Sequence, residues 1–384
     1  MDFELTKSQK QIQKAAKDFA KGEFDKETLL TLEKENCFPL SIWEKASDLG
    51  FVGIHFDDEF SGAGLGLFEN VLLAEAFCAK DSSAGAALML ASHGSEMLLR
   101  FGSKALKETF LPRVAEGEMI SSGALGEAGT GYGVATIATT ALAQKDQWII
   151  NGEKAWVTNG GDAGFYLVLC VTDPDVAPEK AMGLFLVEKE TPGITVTDSG
   201  RKLGCCMVKT ATLTFDNVRV PLSNLVGKKG DGFAQVEGFL NEQRIVTAGI
   251  ALGTAQGALE RAVAYVRERE QFGRKIARFE ALRHKIATMA IQVDLARLAT
   301  YRAASNFDRG KISQAETHMA LEAAAAAAEA VADAAIQLHG GAGYITETGV
   351  EHFYRDAKFI GIHDSNQGLR LGSIANHVIG KLKG

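Results

Sequence analysis

The chain has 384 residues, 23% of them charged and 46% hydrophobic, with a formal net charge of −7. That length exceeds one simple core and points to two or three packed lobes. The acidic balance, with no concentrated basic patch, argues against nucleic acid as a partner. No apolar run reaches the roughly 20 residues needed to span a bilayer, and the start "MDFELTKSQK" is too polar for a signal peptide. No membrane insertion is expected, and the expected location is cytoplasmic. Of the five cysteines only Cys205 and Cys206 are close, and the eight histidines are scattered. No C-x-x-C and no ligand pair at helical spacing occurs, so neither a disulfide framework nor a metal site is expected.

Residues 1–119 predict a helical lobe. Thr6-x-x-Gln9 behind Leu5 is a capping-box signal, and Ile12, Ala15, Ala16 and Phe19 then recur at helical spacing. "PLSIWEKASDLG", "LFENVLLAEAFCAK" and "KALKETFLPRVAEG" continue the helical pattern. "FSGAGLGLF", with Gly62, Gly64 and Gly66, has the wrong spacing and context for a dinucleotide fingerprint and reads as a turn between helices. Asp81, ahead of "SSAGAAL", reads as a helix cap.

Residues 120–228 change character. "FYLVLCVT", "MGLFLVEK" and "ATLTFDNVRV" are short, β-branched or aromatic, and bounded by turn residues, which predicts strands. In "KAWVTNGG", Trp156 and Thr158 share a face if the segment is extended. A flat cofactor ring could rest on the indole and take a hydrogen bond from the hydroxyl; the other reading of Trp156 is a packed structural aromatic.

Helices return over 229–384, and they are long. "FEALRHKIATMAIQVDLARLATYRAASNFDRG" and "SQAETHMALEAAAAAAEAVADAAIQLHGG" read as hairpin partners. Phe272-Gly273 in "REREQFGRKI" reads as a helix stop, with Arg269 either a phosphate partner or a solvated charge. Gly340, Gly341 and Gly343 in "QLHGGAGY" allow close backbone approach to a ligand or another chain, or simply cap the helix. "FIGIHDSNQG" carries one acid, Asp364, either a proton acceptor or a polar residue after a helix. Helices, then strands, then helices define a three-lobe α+β arrangement rather than alternating βαβ.

In order along the chain, "NGEKAWVTNGG", "LFLVEKETPGI", "FDNVRVPLSNLVGKKGDGF", "NEQRIVTAGIALG", "REREQFG" and "QLHGGAGYITETGVEHFYRDAK" resemble the acyl-CoA dehydrogenase family, the last two most like its short-chain members. The resemblance implies an N-terminal helical domain (1–119), a middle β-barrel-like domain (120–228) and a C-terminal four-helix bundle (229–384). It also implies FAD, a homotetramer or dimer, an acyl-CoA thioester oxidised between Cα and Cβ with the β-hydride passing to flavin N5, and an electron-transfer flavoprotein as acceptor. By similarity, Leu125, Gly126, Trp156, Val157 and Thr158 line the flavin, and Asn366 adds a further FAD contact. Arg269, Gln271 and Phe272 reach the FAD of a neighbouring subunit, while Gln337, Leu338, Gly340 and Gly341 meet FAD across another interface. Asn241 and Arg244 meet the CoA moiety, and Tyr132 lies in the acyl or thioester pocket.

The departures bear on substrate. The family's T-E-P loop is "GEA" here, so Gly126 replaces a Thr, and Tyr132-Gly133 replaces Ser-Asp. Cys206 stands where Arg is common. The base position, usually Glu, is Asp364, whose carboxylate reaches on the order of 1 Å less far. The alternative base position is Gln243, which has no carboxylate. These changes point to an atypical acyl group: cyclic, branched or dicarboxylic. The alternatives are a flavin oxidase of the nitroalkane-oxidase type, a 1,4-elimination using another acid, and a non-redox acyl-CoA-binding scaffold.

Overall fold

The structure, a computed structural model, describes residues 4–130, 134–363 and 367–380. The N-terminal part is helical: α1 (Lys7–Glu23), α2 (Lys26–Glu35), α3 (Leu40–Asp48), α4 (Leu67–Lys80), α5 (Ser82–Leu90), α6 (Ser95–Phe101) and α7 (Lys104–Ala115). The capping box forms as the sequence predicts. Thr6 Oγ1 accepts the Gln9 N–H, and the Gln9 side chain accepts the Thr6 N–H. Ala16 and Phe19 are buried, but Ala15 faces solvent, so the apolar stripe is narrower than expected.

Helix α4 is buried on nearly every side. Its free N–H groups are met from a distant part of the chain: Asp308 Oδ1 accepts from Leu67 N at 2.8 Å and Oδ2 from Phe68 N at 3.0 Å. A Cβ on Gly66 would lie 2.5 Å from that carboxylate. The glycine-rich turn is therefore a turn, and one of its glycines makes room for a cap. Asp81 caps α5, accepting the Ala84 N–H at 2.9 Å.

The middle part is an eight-stranded sheet: β1 (Ser121–Ala124), β2 (Thr140–Gln144), β3 (Gln147–Thr158), β4 (Phe165–Val171), β5 (Met182–Glu188), β6 (Ile194–Asp198), β7 (Thr210–Pro221) and β8 (Leu225–Val226), with the one-turn helix α8 (Pro178–Ala181) before β5. The strand order is β6-β7-β3-β2-β4-β5-β8, with β1 alongside and parallel to β4. Strands β4 and β5 are buried on both faces, which is why their sequences lack a polar alternation. Phe165 of β4 packs on Phe110 of α7, ring centroids 5.1 Å apart.

The C-terminal part comprises α9 (Gly232–Glu268), α10 (Glu280–Asp308), α11 (Gln314–His339), α12 (Glu351–His363) and α13 (Gln367–Ile379). Helices α10 and α11 pack as a hairpin, and α11 also lies along α9, with Ala324, Ala325, Ala327 and Ala328 buried. Phe272-Gly273 differs from the sequence expectation. Helix α9 has already ended at Glu268, and the pair forms the turn of a small hairpin between β9 (Glu270–Gln271) and β10 (Arg274–Lys275). Phe272 has φ 52° and Gly273 φ 72°, the paired left-handed geometry that matches strand twist. The Ile276 N–H donates to Arg269 O at 2.9 Å, closing the base of the hairpin. Among the described residues no helix is long and apolar enough to cross a membrane.

Candidate active site

The C-terminal end of β3 is irregular. Its pairing with β7 shifts register between Lys154 and Val157, a bulge that re-aims the side chains around it. Trp156 takes φ 57°, a left-handed conformation that a large aromatic adopts only when its surroundings impose it. Its indole is 73% exposed, whereas Val157 and Thr158 are buried. Trp156 and Thr158 therefore do not share one face of an extended strand, as alternation predicts. The bulge turns the indole outward and leaves the hydroxyl inward.

What imposes this geometry is a buried ion pair. Lys154, fully buried, donates from Nζ to Glu127 Oε1 at 2.9 Å and to Leu125 O at 3.0 Å. Glu127 also accepts the Ala138 and Thr139 N–H groups at 2.7 and 2.8 Å. Burial works against the Glu127 charge, but hydrogen bonds from Thr139 and Ala138 and the Lys154 ammonium hold its carboxyl below the usual range. Burial pushes the Lys154 ammonium down, opposed by Cys170 and Glu127. The Ala155 N–H donates to Gly126 O at 3.1 Å. Leu125, Gly126 and Glu127 are thus tied to β3 by both side chain and backbone.

Beside this corner lies a cavity of about 320 Å³. Leu125, Gly126, Trp156, Val157 and Thr158 form one wall, and Phe239 and Leu240 of α9 the facing one. Two imidazoles close it: His93, from the turn between α5 and α6, and His363, the last residue of α12. Thr158 Oγ1 and His363 Nε2 are 3.2 Å apart, and the two imidazole centroids 6.3 Å. Burial pushes His93 down to about 4, partly opposed by the Glu96 charge. Burial, with His93 and Lys202 adding to it, takes His363 to about 3. Both rings are neutral near pH 7.

This gives a pH prediction. An unfolded histidine titrates near 6.5, well above buried His93, so the unfolded chain binds more protons between these values and stability falls as pH drops through that window. At pH 5 His93 is expected to cost about 2 kcal/mol relative to pH 7.5. Urea unfolding of the holoprotein should show His93→Leu losing that share of the pH dependence. Equal pH slopes in variant and parent would mean that folded His93 carries the proton.

A second cavity of about 690 Å³ lies further along α9, lined by Arg244, by His318 of α11 and by Gly368 and Leu369 around the start of α13. Leu240 lines both cavities. Arg244 is buried and donates from Nη1 to Asn241 Oδ1 at 3.2 Å. Arg269, Gln271, Phe272, Gln337, Gly340 and Gly341 are exposed on the single chain, Leu338 is buried, and none of them lines the first cavity. Asp364, Tyr132 and Asn366 lie outside the described residues.

Sequence reasoning misses Glu127, His93, Phe239, Leu240 and His363. Glu127 and His363 each adjoin a residue singled out, Gly126 and Asp364, which is the one signal the sequence offers for them. A flat apolar wall with a buried hydroxyl at its rim suits a ring system with a polar edge, so Trp156, Val157 and Thr158 fit the flavin of FAD.

Comparison with known proteins shows the family. Residues 6–118 match the acyl-CoA dehydrogenase N-terminal domain, 122–218 its middle domain and 230–379 its C-terminal domain. Fold and site together define an FAD-dependent oxidoreductase acting on acyl-CoA. The chain belongs to the acyl-CoA dehydrogenase family. It is 34% identical over 381 residues to acryloyl-CoA reductase (NADH) of Anaerotignum propionicum, covering 99% of this chain and 96% of that one. It is 35% identical over 379 residues to the mitochondrial short-chain specific acyl-CoA dehydrogenase of Rattus norvegicus, covering 98% and 91%. The structure of butyryl-CoA dehydrogenase from Megasphaera elsdenii superposes with a TM-score of 0.94 at 30% identity, covering 99% of this chain and 100% of that one.

Proposed function

We propose that the protein dehydrogenates a short acyl-CoA with an atypical acyl group, with Asp364 as the base. The observation that carries this reading is the pair of cavities that share Leu240 as a lining residue. A long thioester can lay its CoA part against Asn241 and Arg244 and its acyl part between Phe239 and the Trp156–Thr158 wall. His363, the chain neighbour of Asp364, lines the reactive end. There a carboxylate takes the Cα proton, made acidic by the thioester carbonyl, as the Cα–Cβ double bond forms. When bound, FAD supplies the acceptor for the hydride leaving Cβ.

The division at 119/120 and 228/229, the cytoplasmic location and the homotetramer (or dimer) belong to the same proposal. Ile291, Leu295 and Leu298 are exposed along α10, and Phe272 is 91% exposed; apolar surface of this kind favours contact between copies. In the assembly Arg269, Gln271, Phe272, Gln337, Leu338, Gly340 and Gly341 would meet a neighbour's FAD.

The test is anaerobic mixing of the yellow holoprotein with butyryl-, glutaryl-, branched and cyclic acyl-CoA thioesters. Bleaching of the flavin band by an acyl-CoA, with reoxidation by an electron-transfer flavoprotein, is the expected result. Peroxide formed in air without another acceptor would establish an oxidase instead.

A further inference from the structure

The cavity of about 690 Å³ lies between three helices, and one of them offers it a face without side chains. Gly368 and Gly372 stand one turn apart on α13 and so share a face. Both line the cavity, and a Cβ at Gly372 would meet nothing within 4 Å. Leu240 and Arg244 of α9 and Ala315 and His318 of α11 stand around it. A bond network ties α9 to α11 here: Asn241 Oδ1 accepts from Arg244 Nη1 and from Thr317 Oγ1, both at 3.2 Å.

His318 is 4% exposed, and its Nδ1 is fully buried with no hydrogen-bond partner among the described residues. Nε2 is not shut in this way, so it is the nitrogen that meets the cavity the residue lines. A proton on Nδ1 would orphan a buried N–H, which is rarer and costlier than an unpaired lone pair. The proton therefore sits on Nε2, and the imidazole presents a donor to the cavity. Burial, with Arg244 and Arg370 adding to it, pushes His318 down to about 4, so the ring is neutral near pH 7.

Resting on the acyl-CoA reading above, we infer that His318 Nε2–H donates to an amide carbonyl of the pantetheine arm of CoA, with the arm lying between α11 and α13 over Gly368 and Gly372. An amide carbonyl is an uncharged acceptor and suits a neutral donor. The phosphates of CoA suit this stretch less well. Arg244 is the one Lys or Arg among the described lining residues, it already donates to Asn241, and Glu237 lines the same cavity with the opposite charge. The bare face of α13 gives room to a chain of amides and methylenes. His318 thus holds the carrier of the acyl group and takes no part in the proton or hydride step.

The test uses the holoprotein and a butyryl group on three carriers: N-acetylcysteamine, which has the first amide only; pantetheine, which has both; and CoA, which adds the phosphates and adenosine. Flavin spectral perturbation and calorimetry give Kd, and turnover gives kcat and KM. His318→Leu is expected to raise Kd and KM about tenfold for the pantetheine and CoA thioesters alike, the size of one hydrogen bond. Flavin content and kcat should stay unchanged, the pattern of a contact made equally in ground and transition states. A matching loss with N-acetylcysteamine would place the contact at the first amide, and none there would place it at the second. His318→Gln, which keeps an N–H donor, should restore part of the affinity. Gly372→Leu, which fills the open space over α13, should weaken the pantetheine and CoA thioesters too. A His318→Leu loss confined to CoA would assign the contact to the phosphates or adenosine and overturn the inference. So would an unchanged Kd for all three carriers, or a fall in kcat with Kd unchanged. Calorimetry with free pantetheine and CoA reads the groove even if no thioester bleaches the flavin, so failure of the dehydrogenase reading is a separate outcome.

Discussion

Asp364→Asn is expected to lower kcat by about 10²–10⁴-fold, the usual contribution of a positioned general base, while leaving flavin content and the Kd for acyl-CoA near those of the parent. The amide keeps the size and hydrogen-bonding reach of the carboxylate but cannot take a proton at neutral pH. Asp364→Glu should recover only part of the loss. Its carboxylate stands on the order of 1 Å further out, and a misplacement of that size costs about 100-fold. Stopped-flow bleaching of the flavin at saturating acyl-CoA isolates the step from product release. Turnover by the Asn variant equal to the parent's would exclude Asp364 as base and leave the proton to another group, since the alternative position is Gln243, buried on α9 without a carboxylate.

Lys154→Met should be the most destabilising single change at the flavin wall. Met fills much of the volume, but Glu127 is left charged and nearly buried, held among the described residues by Ala138 and Thr139 without the Lys154 ammonium. Removing one partner of a buried pair costs about 3–5 kcal/mol, and urea unfolding of the holoprotein should show a loss of that order. Flavin affinity should fall with it, because Leu125 O loses its Lys154 contact and the bulge that turns Trp156 outward loses its anchor. Combining Lys154→Met with Glu127→Gln tests the cause: the double variant should be more stable than the sum of the single effects by roughly 1–3 kcal/mol. Simple additivity would show that the pair is not what holds this corner.

Much of the fold is legible locally. "LFENVLLAEAFCAK" is helix α4, residue for residue, because Leu, Ala, Glu and Lys dominate it, with no Gly or Pro, between a glycine turn and a capping aspartate. The strands read from β-branched and aromatic runs between turn residues, although β4 and β5 give no hint in alternation of which face is covered. The site reads less well. Phe272-Gly273 carries the backbone signal for a positive-φ turn, but the pairing of β9 with β10, closed by the Ile276 N–H bond back to Arg269 O, makes it a hairpin rather than a helix end. Trp156 is visible as a candidate, yet its outward turn depends on Lys154 meeting Glu127 from 27 residues away.

By itself the sequence determined the helix–sheet–helix order and the caps at Thr6 and Asp81. The caps rest on interactions within a few residues and the order on runs of local pattern, so the sequence carries them. Only the tertiary structure decided that His93 and His363, separated by the whole middle sheet in sequence, close one cavity, and that Asp308 caps α4 from the far end of α10. Those facts depend on long-range packing, where each residue's burial and partner are set by chain segments that carry no mark of one another.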